Sequence, residues 1–275
     1  MQINLFLDSV FASLIAGAMS YLYYADRINQ LPLAMIGIAI GIALLPALSR
    51  KIKAGEMEQA IKLQNLALEV GLILVIPATL ALTCLSLPII STLFERGEFV
   101  HEQSILVAQA LMFYSFGLPA YVLVKIMEPA FFSRGDTKTP MNIAIICLIS
   151  NIVLNVIFFL NNFGFVGIIL SSITSSYLNL TLLITKLIKK NHFYFEKDFA
   201  RKFAFILIPS VIMALVLIFL REYFAGNDNA NKALELMIMI GAGLTVYAVS
   251  SYFSGSLDIL LESTKIKRRN AFKTK

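Results

Sequence analysis

The chain reads as long apolar stretches separated by short polar islands. Charged residues are absent from 28–49, 70–94, 103–124, 139–185, 203–220 and 236–257. A helix rises about 1.5 Å per residue, so roughly 20 apolar residues cross the hydrocarbon of a bilayer, and each run can make a crossing. The run 139–185 exceeds one crossing and holds the turn-prone cluster Asn161-Asn162-Phe163-Gly164 near its middle, which predicts two helices. The stretch Ile3 to Ala16 is apolar, interrupted by Asp8, and begins with no polar lead-in, which predicts a truncated first crossing. The expectation is an all-α polytopic transmembrane bundle of about eight helices. They fall at 2–17 (truncated), 26–48, 66–91, 103–124, 139–160, 165–187, 203–221 and 234–255.

Composition sharpens the class. The chain is 58% hydrophobic and 15% charged with a mean hydropathy of +0.79, whereas soluble domains carry about 25% charged residues. A signal peptide is the weaker account of the start, because no basic segment precedes the apolar one and Asp8 sits inside it. Connections are short, which leaves no soluble domain to hold an active site outside the membrane. All Lys and Arg residues but four, namely Arg27, Arg96, Arg221 and Lys232, fall in one alternate set of connections and the C-terminal tail. By the positive-inside rule that places the C-terminus of a multi-pass membrane protein in the cytoplasm. The net charge of +6 therefore requires no nucleic-acid partner, while Lys265 to Arg269 sit where anionic membrane lipids lie.

No phosphate-binding glycine loop, His/Glu metal motif or nucleophile with a nearby base is present, so an enzyme is not expected and no cofactor is implied. Cys84 and Cys147 lie in apolar runs and read as small buried hydrophobes. Polarity at membrane depth carries the functional signal, because ionisable groups there are expensive. Tyr23-Tyr24-Ala25-Asp26-Arg27 is expected at the outer start of the second helix. Arg27 offers a fork of donors suited to phosphate oxygens. The plainer account is an interfacial tyrosine belt with a local Asp26/Arg27 pair reaching the headgroups. Asp8 would seek a cation, giving Na⁺ or H⁺ coupling, or else would pair locally near an interface. Asn151 and Asn155 share a helix face at i,i+4, and with Ser171, Ser172, Thr174, Ser175 and Ser176 they supply either neutral oxygens to a cation or hydrogen bonds between packed helices. Gly37 and Gly41 form a small-xxx-small pair between Pro32 and Pro46, a pattern for close packing and for bending.

These residues go beyond generic membrane chemistry. Gln2-Ile3-Asn4-Leu5 with Asp8, Tyr23 to Arg27, and Pro32 through Gly37 and Gly41 to Leu44-Leu45-Pro46-Ala47-Leu48-Ser49-Arg50 resemble the MurJ (MviN) lipid II flippase family from its seventh helix onward. Tyr114-Ser115-Phe116-Gly117-Leu118 and Phe131-Phe132-Ser133-Arg134-Gly135-Asp136-Thr137-Lys138-Thr139-Pro140 resemble its tenth helix and the loop before its eleventh.

The resemblance implies one lobe of an exporter fold like that of the multidrug exporters, over 1–190, two additional C-terminal helices over 191–257 associated with a lipid-tail groove, and a basic tail over 258–275. It implies that Arg27, with Asp26 beside it, binds the diphosphate of lipid II, and that Asp8, Asn151, Asn155 and Ser172 stand at positions coordinating Na⁺. Three readings follow: half of a split flippase with a separately encoded N-terminal lobe, an inactive truncated remnant, or a related lobe exporting another polyprenyl-linked sugar or a cation-coupled drug.

Overall fold

The computed structural model describes residues 2–225 and 231–256. The basic tail expected over 258–275 lies outside the described residues. The described residues form helices and connections, with no strand among them. The helices are α1 (Gln2–Ser13), α2 (Ala18–Pro32), α3 (Ala39–Lys53), α4 (Met57–Cys84), α5 (Ser86–Phe94), α6 (His101–Phe132), α7 (Lys138–Leu160), α8 (Gly164–Lys189), α9 (Phe199–Phe224) and α10 (Lys232–Ser254). A π-helical stretch, Leu33–Ile38, joins α2 to α3 without a break. Seven helical spans, with Ala18–Lys53 counted as one, are long and apolar enough to cross a membrane.

Several boundaries depart from the expected ones. Helix α1 stops at Ser13, and the chain turns through Gly17 at φ 74 before α2 begins at Ala18, not at residue 26. Tyr23 to Arg27 therefore lie within α2, not at its outer start. Pro32 lacks an N–H and would interrupt an α-helix; here the backbone widens into the π stretch immediately after it and continues. Helix α4 begins at Met57, earlier than residue 66, because Glu58 and Lys62 form an i,i+4 pair at 3.0 Å on its exposed side. It ends at Cys84, and α5 follows after Leu85. Helix α6 runs past residue 124 to Phe132, carrying Lys125 and Glu128 paired at 2.9 Å. At the start of α2, the start of α4 and the end of α6, the helix continues through charged residues expected to mark boundaries, whereas α1 and α4 stop short of their expected ends. The Asn161 to Gly164 turn falls where expected, with Asn162 and Gly164 at positive φ.

Helix α6 is the axis of the lobe, packed by α2, α3, α4, α5 and α8. Its fully buried Leu111, Leu118, Ile126 and Met127 face those neighbours. Gly41 lets the chain approach closely: an added Cβ would stand 2.7 Å from the carbonyl oxygen of Lys125. That carbonyl lies four residues before Pro129, the position whose helical donor a proline removes. Two other such carbonyls receive hydroxyls from α10. Tyr247 donates to Ile73 O at 2.7 Å, four residues before Pro77, and Ser254 donates to Phe205 O at 3.3 Å, four before Pro209. Helix α10 thus ties itself to α4 and α9 at their proline turns. Around this frame α7 exposes Ile145, Ile146, Ile149, Val153 and Val156, while α9 and α10 expose Leu215, Phe219, Met237 and Leu244, a surface suited to hydrocarbon.

Polar clasps close both ends. At one, Lys190 Nζ reaches Asp136 at 2.6 Å and Thr139 at 3.1 Å, and the lysine bond with the Thr139 amide bond holds the Asp136 carboxyl down at about 2. At the other, Glu95 binds His101 at 3.1 Å and Lys232 at 3.0 Å. Burial pushes the Glu95 carboxyl up, but those two partners outweigh it and hold it below the usual range.

Gly41→Val forces backbone apart and is expected to lower the melting temperature in detergent by several degrees, at a cost of about 1–3 kcal/mol. Tyr247→Phe strands the Ile73 carbonyl and should cost about 1 kcal/mol. Thermal unfolding of both variants beside the parent checks the pair.

Candidate functional site

Asp8 sits in the second half of α1 and is 7% exposed. Helix α1 packs against α7 and α8, so a carboxylate on this face has no water to turn to and must be answered by its neighbours. Asn155 Nδ2 donates to Asp8 Oδ1 at 3.0 Å, and Ser172 Oγ donates to Oδ2 at 2.6 Å. Asn155 Nδ2 also reaches Asn151 Oδ1 at 3.2 Å, and Asn151 Nδ2 reaches Ser172 Oγ at 3.3 Å. The four side chains form a closed ring drawn from three helices. Asn151 and Asn155 are 0% and 2% exposed, and the i,i+4 spacing in α7 stacks them on one face.

One oxygen in this ring, Asn155 Oδ1, is buried and has no hydrogen-bond partner. The available donors to a ligand are carboxylate, amide and hydroxyl oxygens with one formal negative charge. Hard oxygen donors of this kind fit a hard cation and not a soft transition metal. No cluster of three or more His, Cys, Asp or Glu suited to a metal ion occurs among the described residues. Of the serines and threonine singled out on α8, Ser172 joins the ring. Ser171, Ser175 and Ser176 return their hydroxyls to carbonyls of their own helix, and Thr174 is exposed.

Arg27 lies elsewhere, on α2. It is exposed, its guanidinium carbon sits 4.7 Å over the Tyr23 ring, and it makes no ion pair with a carboxylate among the described residues. Asp26, next to it, is occupied differently, accepting from Gln30 Nε2. Asp26 and Arg27 make no direct ion pair, because adjacent helical positions point about 100° apart and Asp26 meets Gln30 one turn on, although the Arg27 charge still acts on the Asp26 carboxylate through space. Arg27 belongs to a stripe with Tyr23, Leu31, Met35, Ile38 and Ile42 that this chain leaves uncovered. Pro32 is half-buried and Pro46 exposed, while Gly37 and Gly41 face Val122 and Lys125 of α6.

Sequence reasoning passed over two features. Gln30 is not among the sequence-derived candidates, although its i,i+4 spacing to Asp26 is a usable signal. Glu69 bounded an apolar run and drew no notice. It is 2% exposed on α4 and paired with Lys202 of α9 at 2.8 Å, with Glu196 also reaching Lys202 at 3.3 Å. This contact between a buried carboxylate and a half-buried lysine fastens α9 to the lobe.

Comparison with known proteins places this geometry. A family model described as Lipid II flippase MurJ matches residues 1–239. The chain is 36% identical over 273 residues to a probable lipid II flippase MurJ of Rhizobium tropici, covering 98% of this chain and 51% of that protein. It is 33% identical to the probable lipid II flippase MurJ of Rickettsia prowazekii (strain Madrid E), covering 89% of this chain and 48% of that one. Among solved structures, a lipid II flippase MurJ in an inward closed conformation aligns with a TM-score of 0.77 at 28% identity, over 92% of this chain and 50% of the other. A MATE structure in the bent conformation aligns with a TM-score of 0.58 at 17% identity, a likeness of fold alone. The chain spans about half the length of the curated relatives it matches.

The polar ring makes a thermodynamic prediction. Asp8→Ala and Asn155→Ala, measured by unfolding in sodium-free buffer, are each expected to destabilise by about 1–3 kcal/mol. The double variant should fall short of additivity by roughly 1 kcal/mol or more, since both remove the same bond; full additivity would contradict the ring.

Proposed function

Because the chain belongs to the lipid II flippase MurJ family, we propose that it forms one lobe of an alternating-access transporter that moves lipid II, the polyprenyl-diphosphate-linked cell-wall precursor, across the inner membrane. The observation that carries this reading is an arginine with no carboxylate partner among the described residues, exposed on the α2 stripe. A guanidinium at membrane depth is costly unless something anionic answers it, and its planar fork matches phosphate oxygens bidentately. The uncovered stripe around it is the face expected to meet the complementary half of the fold, since alternating access rocks two lobes about a central site. The basic residues flanking the Asp136 and Lys190 clasp set the orientation of the lobe, with that end in the cytoplasm.

Asp8, Asn151, Asn155 and Ser172 would hold Na⁺ as the coupling ion. Na⁺ would take the unanswered Asn155 Oδ1 as a ligand beside the Asp8 carboxylate, whereas a proton on Asp8 would reach that oxygen as an O–H donor only if the Asn155 amide turned. A bound cation neutralises the carboxylate at low cost. The protein's own contribution is to gather oxygens from α1, α7 and α8, so that filling the site draws these three helices together.

Two outcomes test the reading. In cells depleted of their own flippase, this chain supplied with the complementary half of a full-length relative is expected to restore growth. Arg27→Ala should abolish that rescue and Arg27→Lys should recover part of it; full growth with the alanine variant would refute the role of Arg27. Sodium chloride, compared with choline chloride at equal ionic strength, should raise the melting temperature of the parent by several degrees and leave Asp8→Asn unchanged. Equal shifts in parent and variant would remove the cation site.

A further inference from the structure

The ring beneath Arg27 is held in place by more aromatic contact than a membrane-interface tyrosine needs. Tyr23 and Arg27 are one helical turn apart on α2, so the guanidinium lies over the ring at 4.7 Å. Tyr23 is 55% exposed, so burial does not account for its placement. Its ring instead meets Tyr24 edge-on at 5.9 Å and 79°. Tyr24 is wedged against Phe94 of α5 at 5.0 Å and Phe99 of the following loop at 5.5 Å, and those two rings are 6.2 Å apart. The same loop is fastened by Glu95 to His101 and to Lys232 at the start of α10. A continuous file of aromatic contacts thus runs from an anchored loop to the guanidinium.

The way Arg27 is held matters chemically. A carboxylate partner would occupy the N–H edge of the fork, the edge that phosphate oxygens need. A ring engages the π face of the guanidinium and leaves its five N–H donors free. It also limits the rotamers of a long flexible side chain, lowering the entropy lost when a ligand binds. Asp26, the nearest carboxylate in sequence, is diverted to Gln30. Arg27 is thereby steadied without being neutralised.

From this arrangement we propose that Tyr23 is a positioning residue for anion recognition: its ring, buttressed through Tyr24 by Phe94 and Phe99, presents the Arg27 fork to the diphosphate of a polyprenyl-linked substrate. The proposal rests on the reading of Arg27 given above.

The test measures binding of radiolabelled farnesyl diphosphate, a short prenyl diphosphate, to the full chain in nanodiscs. The parent should bind, and Arg27→Ala should lose binding. Tyr23→Ala is expected to weaken binding roughly fivefold, with Tyr23→Phe and Tyr23→Trp within about twofold of the parent. Failure of the parent to bind, or undiminished binding by Arg27→Ala, overturns the diphosphate reading and this inference with it. Loss in Arg27→Ala with full binding by Tyr23→Ala, or equal weakening by Tyr23→Phe and Tyr23→Ala, overturns the positioning role alone.

Discussion

Hydrocarbon offers no hydrogen bonds, so every polar group that this fold carries to membrane depth must be answered by the protein itself or by what the protein binds. That constraint explains features that would otherwise look unrelated. Prolines in α4 and α9 remove helical donors, and the carbonyls they release at Ile73 and Phe205 are met by Tyr247 and Ser254 of α10. The proline in the last turns of α6 leaves the Lys125 carbonyl, and there Gly41 permits the closest approach of a neighbouring helix. Glu69, buried on α4, is matched by Lys202 from α9. Helices α9 and α10 are thus bound to the lobe by polar contacts as well as by apolar packing.

Against that background the unanswered groups stand out. The Asp8 ring satisfies both carboxylate oxygens yet leaves Asn155 Oδ1 bare, and α2 carries Arg27 in no direct ion pair with a carboxylate among the described residues. The two lie on opposite sides of the short turn between α1 and α2, which passes through Gly17 at φ 74, a left-handed conformation that an L side chain adopts with strain. The chain thus puts a cation-seeking group and an anion-seeking group on consecutive helices joined by four residues, Leu14 to Gly17. The α1 side is tied by hydrogen bonds to α7 and α8, while the α2 side packs on α6.

Much of this was legible in the sequence, for identifiable reasons. Runs of about 20 residues free of charge indicate the spans, since a helix satisfies its backbone within its own segment in lipid, and positive φ at Asn162 and Gly164 follows from the residue types that tolerate it. The i,i+4 spacing placed Asn151 and Asn155 on one face. That Asp8 and Ser172 would meet them was implied by family resemblance and by nothing local, because the contacts join residues 147 and 164 positions apart. Helix ends were misread wherever a charge was taken for a boundary. Lys125 with Glu128, Glu58 with Lys62 and Asp26 with Gln30 each find a partner one turn away, and a helix that answers its own charges has no reason to stop. The aromatic file from Phe99 to Tyr23 was invisible for the opposite reason, since it depends on how α5 and its loop fold back against α2.

The bonding within the Asp8 ring also bears on how such a site would work in a transport cycle. A carboxylate left wholly bare would bind a cation tightly and release it slowly, because the alternative would be an uncompensated charge in a dry interior. Here Asn155 and Ser172 already donate to both oxygens, so an arriving Na⁺ competes with two existing hydrogen bonds. Its net gain is the difference between coordination and those bonds, with the bare Asn155 oxygen as an added ligand. A transporter needs ion binding strong enough to bias one arrangement of its helices and weak enough to let the ion leave from the other. On the proposed reading, a pre-satisfied carboxylate beside one unsatisfied amide oxygen would meet both requirements, because the empty site would stay folded and the filled site would be only moderately preferred.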